Sequence, residues 1–152
     1  MTKFLLSLHV LAAIVAVGPV TVAASMFPPA VRRADPSSPA ASGTVALLHR
    51  ICRIYARLGL AVPVLGVATA AAMGVLGDGW LVVSMTLTAV AAGFLVAFVL
   101  PRQEELLEAL DGGQRVERGQ TVQLAMFTGV FNLLWATVTV LMIVRPGSTT
   151  GA

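Results

Sequence analysis

The sequence predicts an all-α protein, an antiparallel four-helix transmembrane bundle, and three observations carry that prediction. Hydrophobic residues make up 57% of the 152 residues and charged residues only 11%, whereas about a quarter of a soluble domain is charged. Four apolar windows, 4–27, 55–76, 80–100 and 121–144, are each of the length needed to cross a hydrocarbon core of about 30 Å as a helix; Arg57 is the only Lys, Arg, Asp or Glu inside them. Strand-length alternation punctuated by turns is absent, which argues against a barrel. In lipid every backbone N–H and C=O must find a partner within its own segment, so runs of this kind are read as helices. The chain is read as one integral membrane domain, 1–152.

The first span holds His9 among apolar neighbours. At 3.6 residues per turn its face continues through Ala13, Ala16, Val20 and Ala23, while Leu11, Ile14 and Val22 point elsewhere. Pro19 has no N–H to donate to the Val15 carbonyl, which predicts a bend. Next comes FPPAVRRADPSSPAASG, read as a Pro/Ser-rich stretch within a connection of about 28–54 that cannot continue a helix. The second span is bent at Pro63 and carries Gly66, Ala70 and Gly74 four apart, a spacing that brings helix backbones close. GDG at 77–79 reads as a tight turn. The third span repeats the small-residue stripe with Ala89, Gly93 and Ala97. The connection 101–120 places Leu106, Leu107 and Leu110 at helical spacing among Glu104, Glu105 and Glu108, and reads as a short amphipathic helix on the membrane surface or as a solvated loop. The fourth span offers Ala125, Gly129, Asn132 and Ala136 on nearly one face.

Positive charge sets the orientation. Arg32, Arg33, Arg50, Arg53, Arg57, Arg102, Arg115 and Arg118 flank the first and third connections, and only Lys3 and Arg145 flank the other side. Lys and Arg near span ends are retained in the cytoplasm, so connections 28–54 and 101–120 are expected inside the cell, with both termini outside a multi-pass plasma-membrane protein. Trp80 and Tyr55 fall at span borders, where amphipathic rings settle. Lys3, the apolar run and VAAS at 22–25 imitate a cleavable signal peptide, but cleavage would put Arg32 and Arg33 on the outer face, so the first span is expected to be retained.

The chemistry-bearing residues are few. The ten basic residues are scattered around apolar segments, which disfavours nucleic acid. Cys52 is alone, so no intrachain disulfide or paired-cysteine zinc site exists. No phosphate loop, HExxH motif or charged intramembrane relay is present. An ionisable or polar residue inside a span is costly, which singles out His9 and Asn132. Asn132 is expected to pair across helices. Counting inward from the outer border puts Met73, Met85, Thr86, Thr139 and Met142 near the depth of His9. His9 with Met73, Met85 and Met142 is thus a candidate metal layer, suited to copper or haem iron, with Lys3 and Arg145 available to haem propionates. Filling of an apolar core is the competing role for each methionine. His49 falls on the cytoplasmic side, across the bilayer from His9, and is read as a surface group, with Cys52 packing as a small apolar residue.

The opening KFLLSLHVLAAIVAVGPV resembles the first helix of a bacterial group of small integral membrane proteins of unknown function, grouped with the CopD copper-resistance domain, whose pattern is L-H-x-L-x-A-x-x-W-x-G-G. Leu8, His9, Leu11, Ala13 and Gly18 match it, and a loop with paired Arg and three further spans follows. Val17 or a neighbour replaces the aromatic residue and Pro19 the second glycine. Within that group the HemJ type of protoporphyrinogen oxidase holds haem b through the matching histidine, and CopD-like proteins are associated with copper uptake, so the resemblance implies His9 as a ligand position. Taken together, the sequence favours a chain without catalysis of its own, a structural or accessory subunit in a larger membrane complex. Its expected partners are the lipid bilayer and other membrane subunits or a second copy. The competing class is a haem b- or copper-binding membrane protein with His9 as ligand.

Overall fold

The computed structural model describes residues 1–35 and 37–147, without the side chains of Pro39 and Ala41. Within these residues the chain is entirely helical apart from its connections: α1 (Thr2–Arg33), α2 (Pro39–Leu58), α3 (Ala61–Met73), α4 (Gly79–Phe94), a π-helical turn (Leu95–Val99), α5 (Leu100–Asp111) and α6 (Arg118–Val144). These elements combine into four long apolar helices, α1, α2 with α3, α4 through α5, and α6, all long and apolar enough to cross a membrane. α1 packs along α2, α3 and α6, α6 packs along α4, and α5 packs on α2, which closes the antiparallel bundle. Pro36 and the tail 148–152, including the extreme C-terminus expected outside the cell, lie outside the described residues.

Lipid is the solvent that the surface fits. Leu11, Ile14, Val64, Leu133 and Ile143 are all more than half exposed, and a ring of apolar side chains this large exceeds the patches a soluble monomer shows. The interior face of α1 is His9, Ala16, Val20, Ala23, Phe27 and Val31, with Leu11, Ile14 and Val22 outside, the division that a 3.6-residue period dictates.

The helices extend further than the apolar windows. α1 does not stop at Phe27 but runs through Pro28 and Pro29 to Arg33. A proline removes one hydrogen bond without forbidding helical backbone, and burial of Phe27, Pro28 and Val31 holds this turn in place. The actual break is at Asp35, whose Oδ1 accepts the Ser37 hydroxyl at 2.7 Å and the Ser37 N–H at 2.9 Å; these bonds hold its carboxyl below the usual carboxylate range. Most of the expected connection 28–54 is therefore helix. α2 and α3 form one bent span, broken at Gly59-Leu60. Pro63 cannot donate to the Gly59 carbonyl, which instead accepts the Val62 N–H at 3.1 Å. α3 ends where Gly74 adopts φ 72°, with the Val75 N–H reaching back to the Ala70 carbonyl at 3.1 Å, a left-handed cap that glycine enters without a Cβ penalty.

The third helix differs most from expectation. Its membrane half buries Leu81, Ser84, Thr88, Ala91 and Leu95, a three-four alternation that would next bring Phe98, Arg102, Glu105 and Ala109 inward. The π-helical turn, which precedes Pro101, inserts one extra residue. The buried set beyond it is Val99, Gln103, Leu106 and Leu110, while Arg102 and Glu105 pair at 2.6 Å outside. The segment 101–111 is thus neither a separate surface helix nor a solvated loop. It continues the span, and Leu106 and Leu110 join Val31, Val45, Leu48, Cys52 and Leu124 in the main core. α6 starts at a reciprocal cap between Glu117 and Gln120, and it too buries a three-four alternation, Thr121, Leu124, Thr128, Phe131 and Val138.

This heptad-like packing corrects the small-residue expectation. Ala89, Gly93 and Ala97 face outward, as does Ala136, whereas Ala125 and Gly129 border a cleft against α1; a Cβ added at Gly93 or Gly129 would meet nothing within 4 Å. Among the described glycines, Gly66 in the second span is the one where an added Cβ would press on a side chain of another helix. Leu106→Ala should lower stability by about 2–5 kcal/mol, the range for truncating a buried leucine, read by unfolding in detergent micelles; a helix lying on the surface would lose far less.

Candidate functional site

His9 is seated where α1 meets the bend of the second span. Its side chain is 8% exposed, and its Nδ1–H donates to the Val62 carbonyl at 3.0 Å. The ring lies on Gly66, where a Cβ would come within 3.0 Å of His9 Cε1. The missing side chain of Gly66 is what admits the imidazole. Because Nδ1 carries the hydrogen, Nε2 of the neutral ring keeps its lone pair, the tautomer a metal-ligating histidine uses.

The methionines do not gather around it. Met85 is on the outward face and 40% exposed, while the inward positions of α4 are Ser84 and Thr88. Met73 is half-buried, seven residues beyond Gly66 and so about 10 Å further along the same helix. Met142 packs on Ala70, Trp80 and Leu81, one turn of α3 beyond Gly66. Thr86 and Thr139 are exposed and bond their own helices at Val82 and Trp135. Nearby hydroxyls are also committed: Thr69, Ser84 and Thr88 bond the Leu65, Trp80 and Ser84 carbonyls. Among the described residues no three His, Cys, Asp or Glu side chains converge. Nε2 of His9 is one imidazole donor, and Met85, on the outward face, does not join it. Arg145, considered for propionates, has its guanidinium 5.6 Å over the Trp80 ring and bonds the Met142 carbonyl.

Asn132 lies between α6 and α1, where its amide donates to Ser25 Oγ at 3.1 Å and Ser25 in turn donates to the Thr21 carbonyl. Asn132 Oδ1 and Thr128 Oγ1 have no partner. Both residues line a cavity of about 280 Å³ with Pro28, Pro29 and Arg32, polar enough to hold water.

The other histidine is not at the surface. His49 is 5% exposed, and its Nδ1–H donates to Gln103 Oε1 at 3.1 Å, while Gln103 Nε2 donates to Cys52 Sγ at 3.6 Å. His49 Nε2 is buried without a partner, which costs about 1–3 kcal/mol for a neutral group. Sequence reasoning missed this network because Gln103 looks solvated until the π-helical turn rotates it inward. The separation of the histidines holds: Val62, the partner of His9, is 13 residues past His49, about 20 Å of helix rise.

The architecture defines a multi-pass helical integral membrane protein. A family model described as predicted integral membrane protein (DUF2269) matches residues 3–146, and the chain belongs to that family, whose function is unknown. That description shows no link to the CopD or HemJ group. No curated protein and no solved structure matches the chain.

Gly66→Val should destabilise the protein by about 1–3 kcal/mol through overpacking against the imidazole. His9→Ala should remove most of that cost, so unfolding of both single variants and the double variant in detergent should show a large favourable coupling.

Proposed function

We propose that the chain acts without catalysis of its own, as a structural or accessory subunit that docks another membrane helix against the outward face of α4 and the π-helical turn. The observation that supports this is the stripe Ala89, Gly93 and Ala97, which the bundle leaves unused. Apolar side chains gain little by leaving lipid for one another, so close backbone approach at small residues is the main driving force between membrane helices. Large neighbours, Val90 and Val96, flank the stripe at half exposure or more and would frame a docked helix. The partner is a different membrane subunit or a second copy of this chain.

In this reading both termini are outside the cytoplasm. The eight arginines named above cluster at the α1–α2 and α5–α6 end, against Lys3 and Arg145 at the other, and that bias retains the arginine-rich end inside. With a membrane-impermeant maleimide on intact cells, Lys3→Cys should be labelled and Arg115→Cys protected. The reverse pattern would invert the topology.

Gly93→Ile should abolish cross-linking or co-purification with the partner while leaving the unfolding midpoint unchanged, because position 93 is exposed and an added Cβ there meets nothing within 4 Å. Unaltered assembly in Gly93→Ile would overturn the docking face. A Soret band or stoichiometric copper in the purified protein, lost in His9→Ala, would replace this reading with the haem- or copper-binding one.

A further inference from the structure

The buried network at His49 borders an arginine face that neither docking nor the His9 site uses. Arg50, Arg53 and Arg57 recur at helical spacing along exposed positions of α2. With Ala46, His49 and Ile54 they line a groove of about 480 Å³. Among the described residues the recorded ion pair is Arg102 with Glu105, so no carboxylate neutralises these three guanidiniums. Three unpaired guanidiniums on one helical face match the oxygens of a phosphate, which they bind through paired N–H donors.

His49 adds a second, independent demand. Gln103, oriented by its bond to Cys52 Sγ, takes the Nδ1 hydrogen of His49. The remaining ring nitrogen is an acceptor, buried and without a donor from the protein. An anionic phosphate would meet the arginines, and an O–H from the same occupant would satisfy the imidazole that lines the groove.

We propose that this face of α2 binds an anionic phospholipid with a hydroxylated headgroup, of the phosphatidylglycerol class. The phosphate sits among Arg50, Arg53 and Arg57, and a headgroup hydroxyl donates to His49 Nε2. A lipid is favoured over a free phosphate ester of the same chemistry by what surrounds the arginines. Leu47, Ile54 and Leu58 are exposed on the same helix, and the apolar surface of α3 follows directly, so acyl chains have a wall to lie on. The face belongs to the end of the bundle that carries most of the basic residues, where anionic headgroups concentrate.

The test uses the full chain in detergent and follows its unfolding midpoint as ligands are added. Phosphatidylglycerol should raise the midpoint by several degrees. Phosphatidylmethanol, which has the same charge and no headgroup hydroxyl, should raise it less, and phosphatidylcholine and soluble glycerol 3-phosphate should leave it unchanged. Arg53→Gln, at an exposed position, should remove most of the phosphatidylglycerol response, whereas Arg115→Gln at the same end should not. His49→Phe should make phosphatidylglycerol and phosphatidylmethanol equivalent; if that variant does not fold, the two lipids on the unaltered chain decide the point. Equal responses to both lipids in the unaltered chain would overturn the role of His49. Equal losses in Arg53→Gln and Arg115→Gln would reduce the effect to unspecific charge and overturn the site. A response to glycerol 3-phosphate alone would overturn the lipid as the occupant.

Discussion

Closure of backbone hydrogen bonds without help from water is the constraint on which this structure rests. A hydrocarbon solvent offers no partner to an open N–H or C=O, so each crossing must be helical and each interruption must be repaired on the spot. The repairs are visible. The Gly59 carbonyl, deprived by Pro63, is taken by Val62, and the end of α3 folds back on itself through Gly74. Side-chain hydroxyls follow the same rule, with Thr69, Ser84 and Thr88 spending their hydrogens on carbonyls one turn back.

Because the apolar side chains have no water to escape, they need not lie inside, and the usual arrangement of a soluble core is relaxed. Large aliphatic groups cover the outside, while the half of the bundle away from the arginine-rich end is lined by His9, Gly66, Thr69, Ser84 and Thr88. The denser apolar core, with Phe27, Leu106, Leu110 and Leu124, includes the arginine-rich end, where α2 and α5 pack and the helices outrun the apolar windows. Each half holds one buried histidine. His9 ties α1 to the bend of the second span through a single carbonyl, whereas His49 joins a side-chain network between α2 and α5. The first is a geometric pin; the second presents an unmet acceptor beside uncompensated charge.

The number and class of helices were legible because four unbroken apolar runs have no other stable form in lipid. The inward face of α1 was legible for a similar reason, since 3.6-residue spacing separates His9, Ala16 and Val20 from Leu11 and Ile14. Helix ends were not: Pro28, Pro29 and the acidic 101–111 segment look like breakers, and only tertiary burial of Phe27, Pro28, Leu106 and Leu110 keeps them helical. The stripe at Ala89, Gly93 and Ala97 misled because small residues mark a face that can approach another helix without saying whether that helix belongs to the same chain. Depth counting from borders ignores both helix rotation and the offset between neighbouring helices, so it did not foresee that Met85 lies on an exposed face. Met85 was assigned the right neighbourhood along α4 and the wrong side of it.

The extra residue at Leu95–Val99 makes the third helix two screw threads with different starts. One residue turns a helix by about 100°, so tightening this turn to regular α-helix at unchanged chain length would swing Arg102 and Glu105 to where Gln103 and Leu106 now stand. The hydrogen bond that orients His49 would vanish with it, although no atom of His49, Cys52 or any arginine had been altered. The winding of a single turn between two packed halves is thus as strict a requirement here as side-chain identity.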